Sequence, residues 1–283
     1  MLLVFLILAM MARKGKAMKK VHLLLIDPQE DFVSPLGSLC VPGADKDMER
    51  VAEMIKRLGG KLEDIHVTLD QHHLLDVAHP LMWKGKDGNS PDPFTIITVK
   101  DIEDGTWTPI RPSFTRKMIE YARGLEAGGR YPLCIWPPHC LIGSPGATIV
   151  EPIREALDEW TKSGPGIVDF VSKGSNIWTE HYSGVKAELP DPSDPSTQLN
   201  TRLIQTLEEA DMILIAGEAG SHCLRNTVMD VADGFSDDSY IAKFVLLTDG
   251  TSPVPGFENL QDEFIAEMTA RGMQTSTCAE VLK

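Results

Sequence analysis

In this chain, short apolar runs repeatedly end at residues that can do chemistry. Asp27 closes Val21–Ile26 (VHLLLI), and Asp70 and His72 follow Ile65–Leu69. His139 and Cys140 follow Leu133–Trp136, Lys173 follows Ile167–Val171, and Cys223 lies just past Met212–Ala216. A thiol supported by an acid and an amine can attack a carbonyl carbon. The thiolate is the nucleophile, and a nearby cation or a helix N-terminus favours it. Asp27 is then the candidate base and Lys173 the supporting cation. The small residues of GEAGSHC (Gly217–Cys223) allow a tight turn whose backbone N–H groups can face a substrate oxygen. Asp70 and His72 belong to a second set. On an extended segment residues two apart point the same way, and His139 from the next strand end adds a third ligand. Two imidazoles and a carboxylate leave open positions on a divalent metal such as zinc, iron or manganese. His73 and His79 are substitutes, whereas His22 and His66 sit at strand starts and read as structural. Each residue also has a plain alternative: Cys223 a small buried apolar group, Asp27 a turn residue, Lys173 a solvated charge. Cys40, Cys134 and Cys278 take that plain reading. The convergence of several reactive groups on one edge is what argues for a site.

Groups at the ends of successive strands converge only if the strands are parallel and lie in one sheet. The pattern predicts this. Helical spacing is expected over Asp45–Leu58, Ser113–Ala127, Ala147–Trp160, Leu199–Leu207, from Ser221 or His222 towards Ala232, and over Leu260–Ala270. These alternate with the five runs above and with Ile241–Leu247. Strand–helix alternation implies a three-layer α/β/α fold with a doubly wound, mostly parallel, six-stranded sheet, whose ligands bind beyond the carboxyl ends of the strands. Residues 18–283 read as a single domain. The segment His73–Pro112 breaks the rhythm. It is rich in Pro, Gly and Asp, carries FTIITV at Phe94–Val99, and is expected to cover one end of the sheet, either as a lid or as a decoration.

Composition bounds the rest. The 283 residues are 42% apolar and 24% charged, as in ordinary globular proteins. The formal net charge of −14 argues against nonspecific nucleic-acid binding. Five cysteines without a CxxC pair suggest reduced thiols and a cytoplasmic protein. The opening MLLVFLILAMMA is too short to span a bilayer and is followed by RKGKAMKK. Residues 1–17 are therefore expected to lie outside the fold, with the working chain starting near Met18 and no stable membrane association.

Several segments resemble the isochorismatase-like cysteine hydrolases, and within them the nicotinamidase branch. DPQEDF (Asp27–Phe32) matches D-x-Q-x-D-F, and GSLCVPGAD (Gly37–Asp45) resembles the segment after it. TLDQHH (Thr68–His73) resembles the metal-binding D-x-H, and WPPHCLIGSPGA (Trp136–Ala147) resembles W-P-x-H-C-x-x-G-T. KGSN (Lys173–Asn176) with HYSGV (His181–Val185) resembles the catalytic-lysine segment, and GEAGSHC matches the nucleophile loop. The resemblance implies catalysis by Asp27, Lys173 and Cys223, and a metal on Asp70, His72 and His139. It also implies a cis peptide at Glu218–Ala219, with an oxyanion hole from that loop and Cys223. The activity it implies is hydrolysis of nicotinamide to nicotinate and ammonia through a Cys thioester, with a divalent metal and no organic cofactor. Gln71 and His222 stand where the family commonly has aromatics that hold the pyridine ring, and Phe32 and Trp178 are candidates to replace those contacts. That departure leaves open an amidase for a different or larger amide. A non-catalytic scaffold and a vinyl-ether hydrolase are the readings from other classes; the Asp27–Lys173–Cys223 set argues against the first, and the thiol and metal-binding set, which vinyl-ether hydrolysis does not need, against the second. The expected partner is a small-molecule amide, and a homo-oligomer is open.

Overall fold

The structure is a computed structural model that describes residues 19–128, 130–164 and 166–283. The expected apolar extension at residues 1–17 lies outside the described residues. The central sheet has six strands: β1 (Val21–Ile26), β2 (Leu62–Asp70), β7 (Asp169–Lys173), β8 (Met212–Gly217), β9 (Phe244–Leu247) and β10 (Gln274–Ser276). They lie in the order β10-β9-β8-β1-β2-β7, and every neighbouring pair is parallel. β1 is buried along its whole length, so its run of Val, Leu and Ile needs no alternation. The chain first builds outward from β1 through β2 to β7, then returns to the other side of β1 to lay down β8. The order therefore reverses beside β1, and the crevice beyond the strand ends there is the natural ligand site of such a sheet.

Helices cover the sheet in two groups. α2 (Ala44–Leu58) packs on α5 (Glu151–Ser163), and α7 (Cys223–Gly234) packs on α6 (Thr201–Glu208) and α8 (Glu258–Ala270). In α2, Met48, Val51, Ala52, Ile55 and Leu58 recur at helical spacing and are buried. The helix then stops at Gly59, whose φ of 47° lies in the left-handed region. Two short helices complete the set, α1 (Glu30–Val33) and α3 (Val99–Glu103), with α4 (Thr115–Gly128) leading into the third apolar run.

The membership of the sheet differs from the expectation in two strands. Leu133–Trp136 does not join it. Only Leu133–Cys134 forms a strand (β6), and this pairs antiparallel with β4 (Ile96–Ile97) from the long excursion. The run is short and ends at two prolines, which cannot donate to a ladder. The excursion supplies its hydrogen-bond partners instead: Phe94 N–H bonds Ile135 O at 2.5 Å, and Ile135 N–H bonds Thr95 O at 2.9 Å. The sixth place goes to β10, whose sequence QTS has no apolar run and whose residues are mostly exposed. An edge strand needs only one partner, so its pattern is weak. Two other starts move inward: Ile167 is 82% exposed and lies before β7, and Ile241 belongs to a 3₁₀ turn before β9.

The excursion has its own small structure. β3 (Trp83–Gly85) pairs antiparallel with β5 (Trp107–Pro109), and Met82, Trp83, Ile97 and Ile102 are buried. Trp83 Nε1–H donates to Val77 O at 2.8 Å. Among the described residues no helix is long and apolar enough to cross a membrane.

Candidate active site

Asp27 and Cys223 flank the point where the strand order reverses. Asp27 follows β1 with φ of 43°, a left-handed conformation unusual for a residue with a side chain. Its N–H donates to Thr68 Oγ1 at 3.1 Å, and the Thr68 hydroxyl donates back to Asp27 Oδ1 at 2.5 Å. Thr68 lies on the neighbouring strand β2, so the pair locks the carboxyl over the sheet edge. At the end of β8, Gly217 has φ of 115°, and a Cβ there would fall 2.0 Å from Ile26 O. Only glycine lets the Gly217–Cys223 loop pass this close to β1. The peptide Glu218–Ala219 is cis, as expected. Cys223 is the first residue of α7, as placed by sequence.

Lys173 joins the three acidic or thiol groups. Its Nζ lies 2.9 Å from Asp27 Oδ2, 3.0 Å from Asp70 Oδ1 and 3.6 Å from Cys223 Sγ. The register of β2 with β7 sets Asp70 directly beside Lys173. All four side chains are buried. Burial disfavours the Lys173 ammonium, but the Asp27 and Asp70 carboxylates outweigh it and hold its pKa well above the ordinary lysine value. Burial pushes the Cys223 thiol well up while Lys173 pulls it down. Burial likewise raises Asp27 against the pull of Lys173. A buried ion pair of this kind is weak evidence for stability, because its desolvation is costly. What the contacts show is a cation positioned between two carboxylates and a thiol.

Beside this set lie Asp70, His72 and His139, with one ligand atom from each within 4.8 Å of the others. His72 Nε2 is 3.0 Å and His139 Nε2 3.5 Å from Asp70 Oδ2. The other ring nitrogens are already taken. His72 Nδ1 meets Asp76 Oδ2 at 3.2 Å, and His139 Nδ1–H donates to Pro137 O at 2.9 Å. Acceptors behind both rings leave Nε2 free to face a cation, as metal-binding histidines require. Burial opposes ionisation of Asp70, yet His72 and Lys173 hold its carboxyl well below the usual range. The donor set therefore fits a divalent metal. His79, kept as a substitute, lies close by: its ring centroid is 5.2 Å from that of His72 and 5.5 Å from that of His139. His73 is exposed. His22 and His66 are paired at the far edge, with Nδ1 of His22 3.3 Å from Nε2 of His66.

A cavity opens over Cys223, Asp70 and His139. Phe32 and His222 line it, as the sequence suggested. Trp178 and Gln71 do not. Trp178 instead packs edge-on against Phe114, with Lys117 over its ring. Gln71 only donates its N–H to Lys173 O at 3.0 Å. The aromatic wall comes from Trp136 and Tyr182, joined by an Nε1–H to Oη hydrogen bond of 2.9 Å. Both stand in the matched segments, so their place in those strings was the available signal. His222 is packed by Tyr131, Trp136, Tyr182 and Phe257, and burial holds its imidazole at about 4, so the ring is neutral. The excursion 73–112 contributes no lining residue among those described.

In the nucleophile loop, the Glu218 N–H bonds Ile26 O at 2.8 Å and faces away from any substrate. The Ala219 and Cys223 amides have no backbone acceptor among the described residues. The Glu218 carboxyl is fully buried and accepts from Ser252 N–H at 3.1 Å, so its part in the loop is structural. Two further residues of DPQEDF serve the frame. Gln29 Nε2–H donates to Asp70 O at 2.7 Å and to Ala147 O at 3.0 Å, while its Oε1 accepts from Asp70 N–H at 2.7 Å. Asp31 accepts from Cys140 N–H at 2.7 Å and from Ser38 N–H at 3.0 Å.

Known proteins give a consistent picture. No family model matches the chain. It is 24% identical over 233 residues to the nicotinamidase of Saccharomyces cerevisiae, covering 82% of this chain and 88% of that protein. The yeast nicotinamidase structure bound to the inhibitor nicotinaldehyde superposes with a TM-score of 0.63 at 20% identity, over 91% of this chain and 99% of that one. An Acinetobacter baumannii nicotinamidase/pyrazinamidase gives 0.61 at 18% identity, over 94% and 100%. The Pyrococcus horikoshii pyrazinamidase solved in complex with zinc gives 0.54 at 22% identity, over 91% and 99%. The chain has the fold of these hydrolases from end to end of the described sheet, as the sequence resemblance implied.

Proposed function

We propose that this protein is an amide hydrolase that converts nicotinamide to nicotinate and ammonia. The observation that carries the reading is the buried contact of Lys173 with Asp27, Asp70 and Cys223, the last two of which line one cavity, with the Asp70–His72–His139 set beside it. The relatives by sequence and by fold act on this class of substrate, and the yeast enzyme binds nicotinaldehyde.

The residues take roles that follow from their surroundings. Asp27, whose proton affinity is raised by burial, removes the thiol proton as Cys223 attacks the carbonyl carbon. Lys173 offsets the negative charge that develops on sulfur and on Asp27. The Ala219 and Cys223 amides bond the tetrahedral oxyanion, where preorganised donors act most strongly. Asp27 returns the proton to the departing ammonia, leaving a thioester on Cys223. It then takes a proton from water, which attacks the thioester carbonyl and releases the acid. Asp70, His72 and His139 would hold a divalent metal, which would supply Lewis acidity in the cavity. Phe32, Trp136 and His222 provide a flat apolar slot for the pyridine ring. The excursion 73–112 is a brace rather than a lid, since it carries the partner strand of β6 and thereby aims Trp136 and His139.

Ammonia release from nicotinamide by metal-loaded protein, beside a Cys223→Ala control, tests the reading. Rapid release that vanishes in the variant is the expected result. No release from a protein whose Cys223 still reacts quickly with an alkylating reagent would reject nicotinamide and leave a different amide as the substrate.

A further inference from the structure

The helix that carries Cys223 begins without a side-chain cap. His222 stands at the N-cap of α7, and its side chain makes no capping hydrogen bond. Helix ends leave backbone groups unpaired and fray. Yet Cys223 is the first residue of this helix, and its sulfur lies 3.6 Å from Lys173 Nζ. The loop before it closes partly on itself, since Ala219 O accepts from His222 N–H at 3.0 Å and from Leu224 N–H at 3.1 Å. One flank is tied to the neighbouring loop. Gly220 N–H donates to Ser252 O at 2.9 Å, and Val254 N–H donates to Ser221 Oγ at 3.0 Å.

Tyr131, from the segment before β6, holds another flank. Arg225 Nη1–H donates to its Oη at 2.9 Å and Asn226 Nδ2–H at 3.2 Å, while the Tyr131 O–H donates to Ser221 O at 3.3 Å. That uses the single proton and both lone pairs of the phenol. Arg225 Nη1–H also reaches Asn226 Oδ1 at 3.1 Å, which closes the network. The Tyr131 ring stacks on His222, with centroids 5.3 Å apart and planes 22° apart. One side chain thus touches residues before and after Cys223 in the chain. Its neighbour Arg130 grips the same helix further along, with Nη1 2.8 Å from Asp230 Oδ1 and Nη2 3.3 Å from Asp230 Oδ2. Tyr131 is not among the residues that line the cavity, so any effect it has on the chemistry passes through the loop and α7.

We propose that Tyr131 is a positioning residue for Cys223, its hydroxyl and ring holding Ser221, His222, Arg225 and Asn226 so that the first turn of α7 keeps the thiol beside Lys173. This rests on the amidase reading above for the role of Cys223.

Tyr131→Phe keeps the ring and removes the hydroxyl network. Two rates test it on metal-loaded protein: steady-state ammonia release from nicotinamide, and alkylation of Cys223 by iodoacetamide, followed by mass spectrometry of the peptide that contains it. Both kcat and the alkylation rate should fall about tenfold, part of the roughly 10²-fold that a misplacement of about 1 Å can cost. KM should change less than about twofold, because the cavity wall is untouched. Arg225→Met removes a donor to the same hydroxyl and should slow both rates as well. The double variant should be no slower than the slower single one, since both act through one network. A loss of stability alone would leave both rates unchanged in the folded variant. Rates within about twofold of the parent, a raised KM with kcat unchanged, or single effects that multiply in the double variant would overturn the proposal. If Tyr131→Phe does not fold, Arg225→Met carries the comparison, with the same slowing expected and unchanged rates overturning it. Slowed alkylation in the variants, with no ammonia released by the wild type, would refute the amidase reading and keep the positioning role. Ammonia release by the wild type, with alkylation unslowed in the variants, would do the reverse.

Discussion

At the scale of single residues, the site depends on charges that burial would not tolerate unpaired. Lys173 is held by two carboxylates, so removing one tests role without removing the pair. Asp27→Asn leaves Asp70 3.0 Å from Lys173 Nζ and should fold. It removes the carboxylate proposed to accept the thiol proton, so kcat for ammonia release should fall by about 10²–10⁴-fold. A loss below tenfold in steady-state kinetics would move the base elsewhere. Asp76 is a second test. It stands outside the Asp70–His72–His139 set but holds His72 Nδ1 at 3.2 Å and accepts Ala78 N–H at 3.0 Å. Asp76→Asn should weaken metal affinity by about 10–100-fold, read by competition with a chromogenic chelator. An unchanged affinity would show that the His72 ring is oriented by packing alone.

At the scale of elements, the loop after β6 must approach α1 closely for His139 to reach Asp70. Gly146 makes this approach possible: a Cβ there would fall 2.1 Å from Asp31 Oδ2. Asp31 in turn ties down the Cys140 N–H at 2.7 Å. Gly146→Ala should therefore cost about 1–3 kcal/mol in chemical denaturation, and it should lower metal affinity because His139 shifts with Cys140. A variant as stable as the parent would mean that Asp31 swings aside freely. The excursion acts at the same scale. Its strand β4 takes up β6, so a segment with lid-like length and composition works here as a support for the WPPHC string. Length and turn residues identified an unusual insertion. They carried no information about which face of the neighbouring strand it would pair with.

At the scale of the whole molecule, acid should weaken the fold well away from the site. His22 is buried at the far edge of the sheet, and burial, with His66 beside it, lowers its pKa from 6.5 to about 4. Between those values the unfolded chain binds a proton that the folded chain refuses. Stability therefore rises with pH through this window, is complete above about 6.5 and is lost as pH falls towards 4. His22→Asn should flatten this acid limb in urea-denaturation midpoints measured from pH 7 to pH 4. An unchanged slope would assign the limb to other groups, such as His222, which is lowered over the same window.

The sequence by itself determined the strand–helix alternation, the parallel sheet and which ionisable residues stand at the strand ends. Apolar runs that end in Asp27, Asp70, Lys173 or Gly217 are local facts, and parallel strands carry such ends to one edge whatever the loops do. Tertiary structure decided the rest. It took β6 out of the sheet and put β10 in, because a two-residue strand before two prolines bonds to whatever partner is near, and an edge strand needs only one. It turned Trp178 outward and brought Trp136 and Tyr182 in as the aromatic wall. It also buried Glu180 and His181 in the cavity wall. Pairing, burial and the direction of a side chain depend on residues far away in the chain, and no local pattern encodes them.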